Sequence, residues 1–370
     1  MTLHIFNPEH DIALASGLSN FTAPHAGRQL RHDLGFLPAI WAQEDDIIVV
    51  DEPEYAAKCW KRLAPKLVCL GETGSPYLGK RLFVGWKELA SLDDVKIEPW
   101  GWNTALRALL LRSGLAETQL PSLPMLDTIR ELSHRRVAAA LLPQLRMQGT
   151  IGESIECHTE AETENAIRRY GSVVMKAPWS SSGRGLRFCD ASRLNDNGKM
   201  TNEMGWLRNL LATQGSVMVE PYYNKVKDFG MEFDSDGKGT VRYLGLSLFK
   251  TQNGAYTGNV LATETAKEEL MSRYLSPTLL QTVREEICQR LGQLFNGKYR
   301  GPFGVDMMIC ASSGLDNRDG KFLLHPCVEI NLRRTMGHVA LALSPQDDDI
   351  RRVMRIEYNE NVYKLRIQNK

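Results

Sequence analysis

The stretch HPCVEINLRRTMGH, residues 325–338, reads as a strand that runs into a polar end. Cys327, Val328 and Ile330 suit a strand, yet Glu329 and Asn331 interrupt them two residues apart, and Arg333 follows after another gap of two. Side chains alternate along a strand, so this spacing sets a carboxylate, an amide and a guanidinium on one face. A second strand is expected upstream at GPFGVDMMICA, 301–311, with Asp306 in its middle. The polar loop SSGLDNRDG joins it to KFLLHPCVEINL, 321–332, as a hairpin-like neighbour. Two carboxylates and an amide oxygen on adjacent strands are an oxygen-only set that suits Mg²⁺ or Mn²⁺ rather than zinc. The plain alternative is a solvated polar face. Mg²⁺ usually shares its shell between carboxylates and substrate phosphates, so a nucleotide is expected nearby.

Two upstream segments answer that expectation. VVMKAPWSSSGRGLRF, 173–188, is a strand, a loop and a strand, and Lys176 at the first strand's end aims a point charge outward. In the loop Ser180, Ser181, Ser182, Gly183, Arg184 and Gly185, backbone N–H groups can approach phosphate oxygens because glycine carries no Cβ. VMVEPYYNKVKDFGMEF, 217–233, then offers a strand running into Glu220, Pro221 and Tyr222, with Asp228 beyond a short polar turn. Such a strand can carry a base against its backbone, and Asp228 can accept from ribose hydroxyls. Taken singly, these features read equally well as a flexible hairpin tip and a solvated turn aspartate.

Taken in order, the strand–Lys–Ser/Gly loop, VMVEPYY with its aspartate, GPFGVD and VEINLR resemble the ATP-grasp superfamily over about residues 127–340. The resemblance implies an α/β and α+β fold in which two lobes clasp ATP behind a small parallel α/β domain. The boundaries expected are 1–120, 121–215 and 216–370. It further implies that Lys176 contacts the α- and β-phosphates, Ser180 to Gly185 cover them, and Glu220 with its neighbours binds adenine. Asp228 takes the place of a ribose-binding acid. Asp306, Glu329 and Asn331 resemble the Mg²⁺ ligands, and Arg333 an arginine near the transferred phosphoryl group. One departure stands out: many such proteins carry a lysine in an S-x-K pattern, where this chain has Ser133-His134-Arg135. Arg135 would bring fork geometry in place of a point charge.

The activity implied is that of an ATP-dependent carboxylate–amine ligase working through an acyl phosphate, with Arg333 and Lys176 as catalytic groups. The EINLR string is similar to that of some peptide ligases, which favours an amino acid or peptide among its small-molecule substrates. Kinase-like phosphoryl transfer and a non-catalytic nucleotide-binding module are the alternatives. A homodimer is one expected state, since dimers are common among such proteins.

Working outward, residues 2–6, 45–51 and 66–71 read as strands alternating with helical patterns near 26–36 and 53–63, a small parallel unit closed by a helix in 100–114. LPSLPMLDT, 120–128, with two prolines, reads as a linker, and 127–145 as one helix capped by Asp127 or Thr128. Helices are expected at 160–171, near 204–214 and over 264–296, and two strands with an Asp/Gly turn at 228–250. FKTQNGAYTGNVLA, 249–262, is polar and aromatic; Lys250, Tyr256 and Asn259 could touch substrate there, or form a surface loop. GSPYLGKR, 74–81, nearly spells a P-loop, but Arg81 replaces the hydroxyl residue. NPEHDIALASG, 7–17, lacks zinc-site spacing and follows a first strand, where α/β units commonly hold ligands.

Composition narrows the class. The chain has 370 residues, 43% hydrophobic and 24% charged, with a formal net charge of +1. That length suggests two or three lobes. The balance leaves no global field to draw the chain onto nucleic acid or an acidic membrane. The start MTLHIFNPEHD lacks signal-peptide character, and no apolar run approaches a spanning helix. Seven scattered cysteines without paired spacing read as reduced thiols in a cytoplasmic protein.

Overall fold

Strands β1 (Thr2–Ile5), β2 (Ile47–Val50), β3 (Leu82–Gly85) and β4 (Lys96–Pro99) pair in parallel, in the order β3-β2-β1-β4. This sheet comes from a computed structural model that describes every residue except 69–81, 93, 181–184, 194–200, 253–254, 313–320 and 370. The near-P-loop and the loop residues Ser181, Ser182, Gly183 and Arg184 therefore lie outside the described residues. All four residues of β2 are buried, as in parallel sheets covered on both faces. Helices α1 (His10–Ser16), α2 (His25–Leu34), α3 (Pro53–Val68) and α4 (Thr104–Arg112) accompany the sheet. The strand expected at 66–71 is corrected at its start, where residues 66–68 are the last turn of α3; residues 69–71 lie outside the described residues. Ala56, Trp60, Ala64 and Leu67 are buried at helical spacing, so the helical period carries through.

The expected linker is also corrected. It opens helix α5 (Leu123–Leu132), capped by Ser122, with Pro124 in the first turn, where its missing N–H costs nothing. The single helix expected over 127–145 breaks after Ser133. His134 caps a new helix, α6 (Arg135–Leu141), its Nδ1 accepting from the Arg136 amide at 3.0 Å. The break sets Arg135 in a first turn.

A second sheet holds β5 (Ile155–Cys157), β6 (Ser172–Lys176), β7 (Leu186–Asp190) and β8 (Val217–Pro221), antiparallel in the order β5-β8-β6-β7. Helices α7 (Glu160–Tyr170) and α8 (Thr201–Gln214) accompany it. Strand β8, which lies past residue 215, pairs within this sheet with both β5 and β6.

The chain continues through β9 (Lys225–Ser235), β10 (Val241–Ser247), β11 (Phe249–Gln252), β12 (Ala255–Leu261), α9 (Glu264–Ser272) and α10 (Pro277–Phe295). It ends with β13 (Gly301–Ala311), β14 (Phe322–Asn331), α11 (Met336–Ala342), β15 (Arg352–Asn359) and β16 (Val362–Asn369). A third sheet runs β10-β9-β13-β14 and a fourth β11-β12-β15-β16, so residues 249–262 are mostly strand rather than a surface loop. The third sheet's core is aromatic. Phe303 stacks on Phe233 at 5.2 Å between centroids and meets the edge of Phe295 at 5.1 Å, all three fully buried. Another core joins Phe6 and Leu34 of the first unit to Val339, Leu343 and Met354. The C-terminal sheet thereby closes against the first one, and the Tyr363 amide donates to Asp33 Oδ2 at 2.8 Å. Among the described residues no helix is long and apolar enough to cross a membrane.

Truncating Phe303 to alanine removes both ring contacts from this core. The expected loss is about 3–5 kcal/mol, read as a lowered urea midpoint with helices and strands retained in the folded baseline.

Candidate active site

The polar face of β14 is built by an irregularity. Asp306 stands opposite Glu329 across the β13–β14 pair, whereas Met308 stands opposite His325, so the register shifts between them. The extra residues fall at Pro326 to Val328, where a proline without an N–H is tolerated. Asn331, two residues beyond Glu329, donates from Nδ2 to Asp306 Oδ2 at 3.2 Å. Like charges directly opposite on neighbouring strands repel. Burial first, then the charges of Glu329 and Glu232, push the Asp306 carboxyl up to about 8. Glu232, which the sequence pattern did not single out, lies on β9 opposite Gly304. It is 3% exposed and accepts from Thr335 Oγ1 at 2.8 Å, with His338 Nδ1 at 3.0 Å. Gly337 allows that approach, since a Cβ there would collide with the Glu232 carboxylate.

Arg333 lies just past β14. It donates from Nη2 to Asn331 Oδ1 at 2.9 Å and grips Asp11 through Nε and Nη2, the shortest bond being 2.7 Å. Burial would raise the Asp11 carboxyl, but the Arg333 charge and hydrogen bonds hold it below its ordinary value. Asp11 lies in the first turn of α1, directly after the turn that follows β1. It thus brings the first sheet's crevice to the polar end of β14. The same turn meets the end of β4, where Asn7 Nδ2 donates to Gly101 O at 2.8 Å and His10 Nδ1 lies 3.1 Å from Asn103 Nδ2.

On the opposing lobe Lys176 pairs with Glu220 at 2.5 Å, both buried. The Cys327 thiol on β14 is pushed up by burial and then by Asp306 and Glu220, with Lys176 and Glu329 also acting on it. Both lobes' charges therefore border one sulfur. The ends of the Ser/Gly loop meet, Ala177 N donating to Gly185 O at 2.8 Å. Arg135 donates to Ser180 Oγ at 2.8 Å, to Ala177 O, and to Glu329 Oε1 at 2.7 Å. Asp11, Trp179, Ser180, Glu329 and Asn331 are among the residues that line a small cleft.

The remaining candidates are more scattered. Pro221 ends β8, and Tyr222 is 57% exposed, edge-on to Phe188. Asp228 sits within β9 rather than beyond a turn, its Oδ2 accepting from Lys225 Nζ and Thr251 Oγ1, each at 2.6 Å. Asn259 lies on β12. It is 1% exposed, its Nδ2 donates to Ser247 Oγ, and its Oδ1 accepts from Tyr256. Tyr256 is spent on that bond, and burial first, then Glu232, raises its hydroxyl well above the ordinary value. Lys250 is exposed on β11.

The donor set fits a hard divalent cation. Two opposed carboxylates with an amide beside them are oxygen-bearing groups of the kind such a cation takes, and phosphate oxygens would complete the shell. Among the described residues no group of three or more His, Cys, Asp or Glu is arranged to hold a metal.

A parallel α/β unit followed by two antiparallel lobes that face each other across a charged cleft defines a class of nucleotide-clasping folds. Comparison of structures places the chain in one of them, the ATP-grasp fold. A protein from Archaeoglobus fulgidus described as of the ATP-grasp superfamily superposes with a TM-score of 0.50 at 13% identity, covering 100% of this chain and 99% of its own. The biotin carboxylase of Campylobacter jejuni, in complex with an ATP analogue, gives 0.50 at 13% identity, covering 98% and 77%. The biotin carboxylase domain of 2-oxoglutarate carboxylase from Hydrogenobacter thermophilus, with MgADP and bicarbonate, gives 0.50 at 13%, covering 88% and 72%. No protein-family model and no curated protein sequence matches the chain.

The raised Asp306 carboxyl gives a signed prediction. Between its unfolded value near 3.8 and about 8, the folded protein holds a proton that the unfolded chain has lost, so stability falls as pH rises through this window. Asp306→Asn mimics the protonated group. In metal-free protein it is expected to raise the melting temperature at pH 8, with the gain shrinking toward pH 5 in thermal unfolding scans.

Proposed function

We propose that the protein is an ATP-dependent ligase that joins a carboxylate to an amine. The carboxylate attacks the γ-phosphorus of ATP, the bond to the β-phosphate oxygen breaks, and an acyl phosphate and ADP result. The amine then attacks the acyl carbon, inorganic phosphate leaves, and an amide forms with loss of a proton from nitrogen. The observation that carries this reading is the row at the end of β14. Glu329 opposes Asp306, Asn331 bonds to Asp306, and Arg333 runs from Asn331 to Asp11 in the first sheet's crevice. Oxygen ligands for a phosphate-bound cation thus stand next to a guanidinium suited to a carboxylate or acyl phosphate.

Asp306, Glu329 and Asn331 would hold Mg²⁺ or Mn²⁺, which supplies charge neutralisation at the phosphates. Lys176 and Arg135 neutralise phosphate oxygens, with Lys176 reaching the α- and β-phosphates. Glu220, Pro221 and Tyr222 border the base, and Asp228 accepts from the ribose. The loop from Ser180 to Gly185 covers the phosphates and keeps water from the acyl phosphate. Arg333 orients the reacting carboxylate, and Asp11 holds Arg333 in place. Two fold neighbours are in complex with adenine nucleotides, one as MgADP with bicarbonate, which supports a nucleotide in the cleft. The EINLR string favours an amino acid or peptide among the substrates.

Incubation with MgATP and paired panels of acids and amines tests the reaction. ADP and phosphate should appear in equal amounts only when both partners are present. A phosphorylated hydroxyl compound, or tight MgATP binding without turnover, would overturn the ligase reading. Lys176→Ala should weaken ATP affinity by about 10- to 100-fold, the size of one charge-assisted contact, and unchanged affinity in calorimetry would remove Lys176 from the site.

A further inference from the structure

We propose that Arg135 is a latch across the cleft, which competes with the divalent cation for Glu329 and passes to the nucleotide's phosphates when the cation binds. The inference rests on the reading of Asp306, Glu329 and Asn331 as the cation's ligands.

Arg135 lies in the first turn of α6, which packs against β14. Its amide donates to Pro178 O at 3.2 Å. Its Nη1 donates to Ala177 O and to Ser180 Oγ at 2.8 Å, and its Nη2 to Glu329 Oε1 at 2.7 Å. One side chain, 7% exposed, thus joins the base of the Ser/Gly loop to the carboxylate strand. A lysine has the charge for one such contact but lacks the fork to hold both sides at once.

The pairing of charges singles this residue out. Lys176 is neutralised by Glu220 and Arg333 by Asp11, neither carboxylate belonging to the ligand set. Among the described ion pairs Arg135 has Glu329 as its carboxylate partner. A dication bound at Glu329 repels the guanidinium beside it and shares the carboxylate's charge, so cation binding unpairs Arg135 and leaves the other two pairs intact. The guanidinium has five N–H donors, of which three are used, and its buried Nε has no partner among the described residues. Released from Glu329 while still tethered to Ala177 and Ser180, it presents spare donors beside the phosphate-covering loop. Cation binding and phosphate binding are then coupled through one side chain.

A latch of this kind affects the two ligands in opposite directions, which a merely structural residue does not. Binding of Mn²⁺ alone is followed by the loss of the free-ion electron paramagnetic resonance signal, and binding of MgADP by calorimetry. Arg135→Ala should bind Mn²⁺ about tenfold more tightly and MgADP about tenfold more weakly. Arg135→Lys, which keeps the charge and protects against misfolding of the alanine variant, should fall between it and the wild type on both axes. Parallel weakening of both ligands, or unchanged Mn²⁺ binding, would overturn the latch. Glu329→Gln serves as the control on the site itself. It should weaken Mn²⁺ binding in wild-type and Arg135→Ala backgrounds alike, and unaltered binding would overturn the cation-site reading and the latch with it.

Discussion

Two carboxylates, Asp306 and Glu329, face each other across adjacent strands of a largely buried sheet, and much of the surrounding architecture answers that repulsion. An amide lies against one of them and a guanidinium against the other. Further guanidinium and ammonium groups stand in the next ring, each tied to a carboxylate of its own. The register shift across residues 326–328 sets Glu329 opposite Asp306. A sheet selected only for stability would place apolar or opposite-sign pairs at this position. Burial and the opposed Glu329 charge together raise the Asp306 carboxyl well above its ordinary value.

The elements follow from patterns that are local in the chain. Strand alternation exposed the polar face of residues 325–333, and the Ser/Gly run after Lys176 marked the loop. What depended on distant partners was less legible. Asp11 was visible as one charge in a cluster, but its partner lies 322 residues further along. Glu232 looked like one more strand residue, and its burial beside Gly337 needed the third sheet to be assembled. Prolines misled in one case. In residues 120–128 they suggested a linker, whereas Ser122 and Pro124 begin a helix. A run of apolar residues misled in another, since 66–68 complete the period of α3. The C-terminal thirty residues carried no motif, and their role depends on contact with the first sheet.

The four sheets also divide the work. The second carries Lys176, Glu220 and the loop base, the third carries the opposed carboxylates, and the first offers the crevice where β1 and β4 end. In open parallel sheets ligands gather at the point where the strand order reverses, and in the order β3-β2-β1-β4 that point is between β1 and β4. Asn7, His10 and Asp11 stand there, and Arg333 spans the gap from them to Asn331. The crevice of the first sheet and the polar end of β14 are therefore linked by a buried ion pair.

The shared core of the first and last sheets has a bearing on how the chain is made. Phe6, Leu34 and Trp60 pack in the same cluster as Met354 and the flanking Ile356 and Leu365. During synthesis from the amino end, these early residues emerge long before their partners. The apolar face of the first sheet stays open to solvent, or to a chaperone, until the final strands leave the ribosome. Completion of the fold thus waits on the last part of the chain, and a nascent chain halted before residue 352 lacks part of the wall against which its first domain packs.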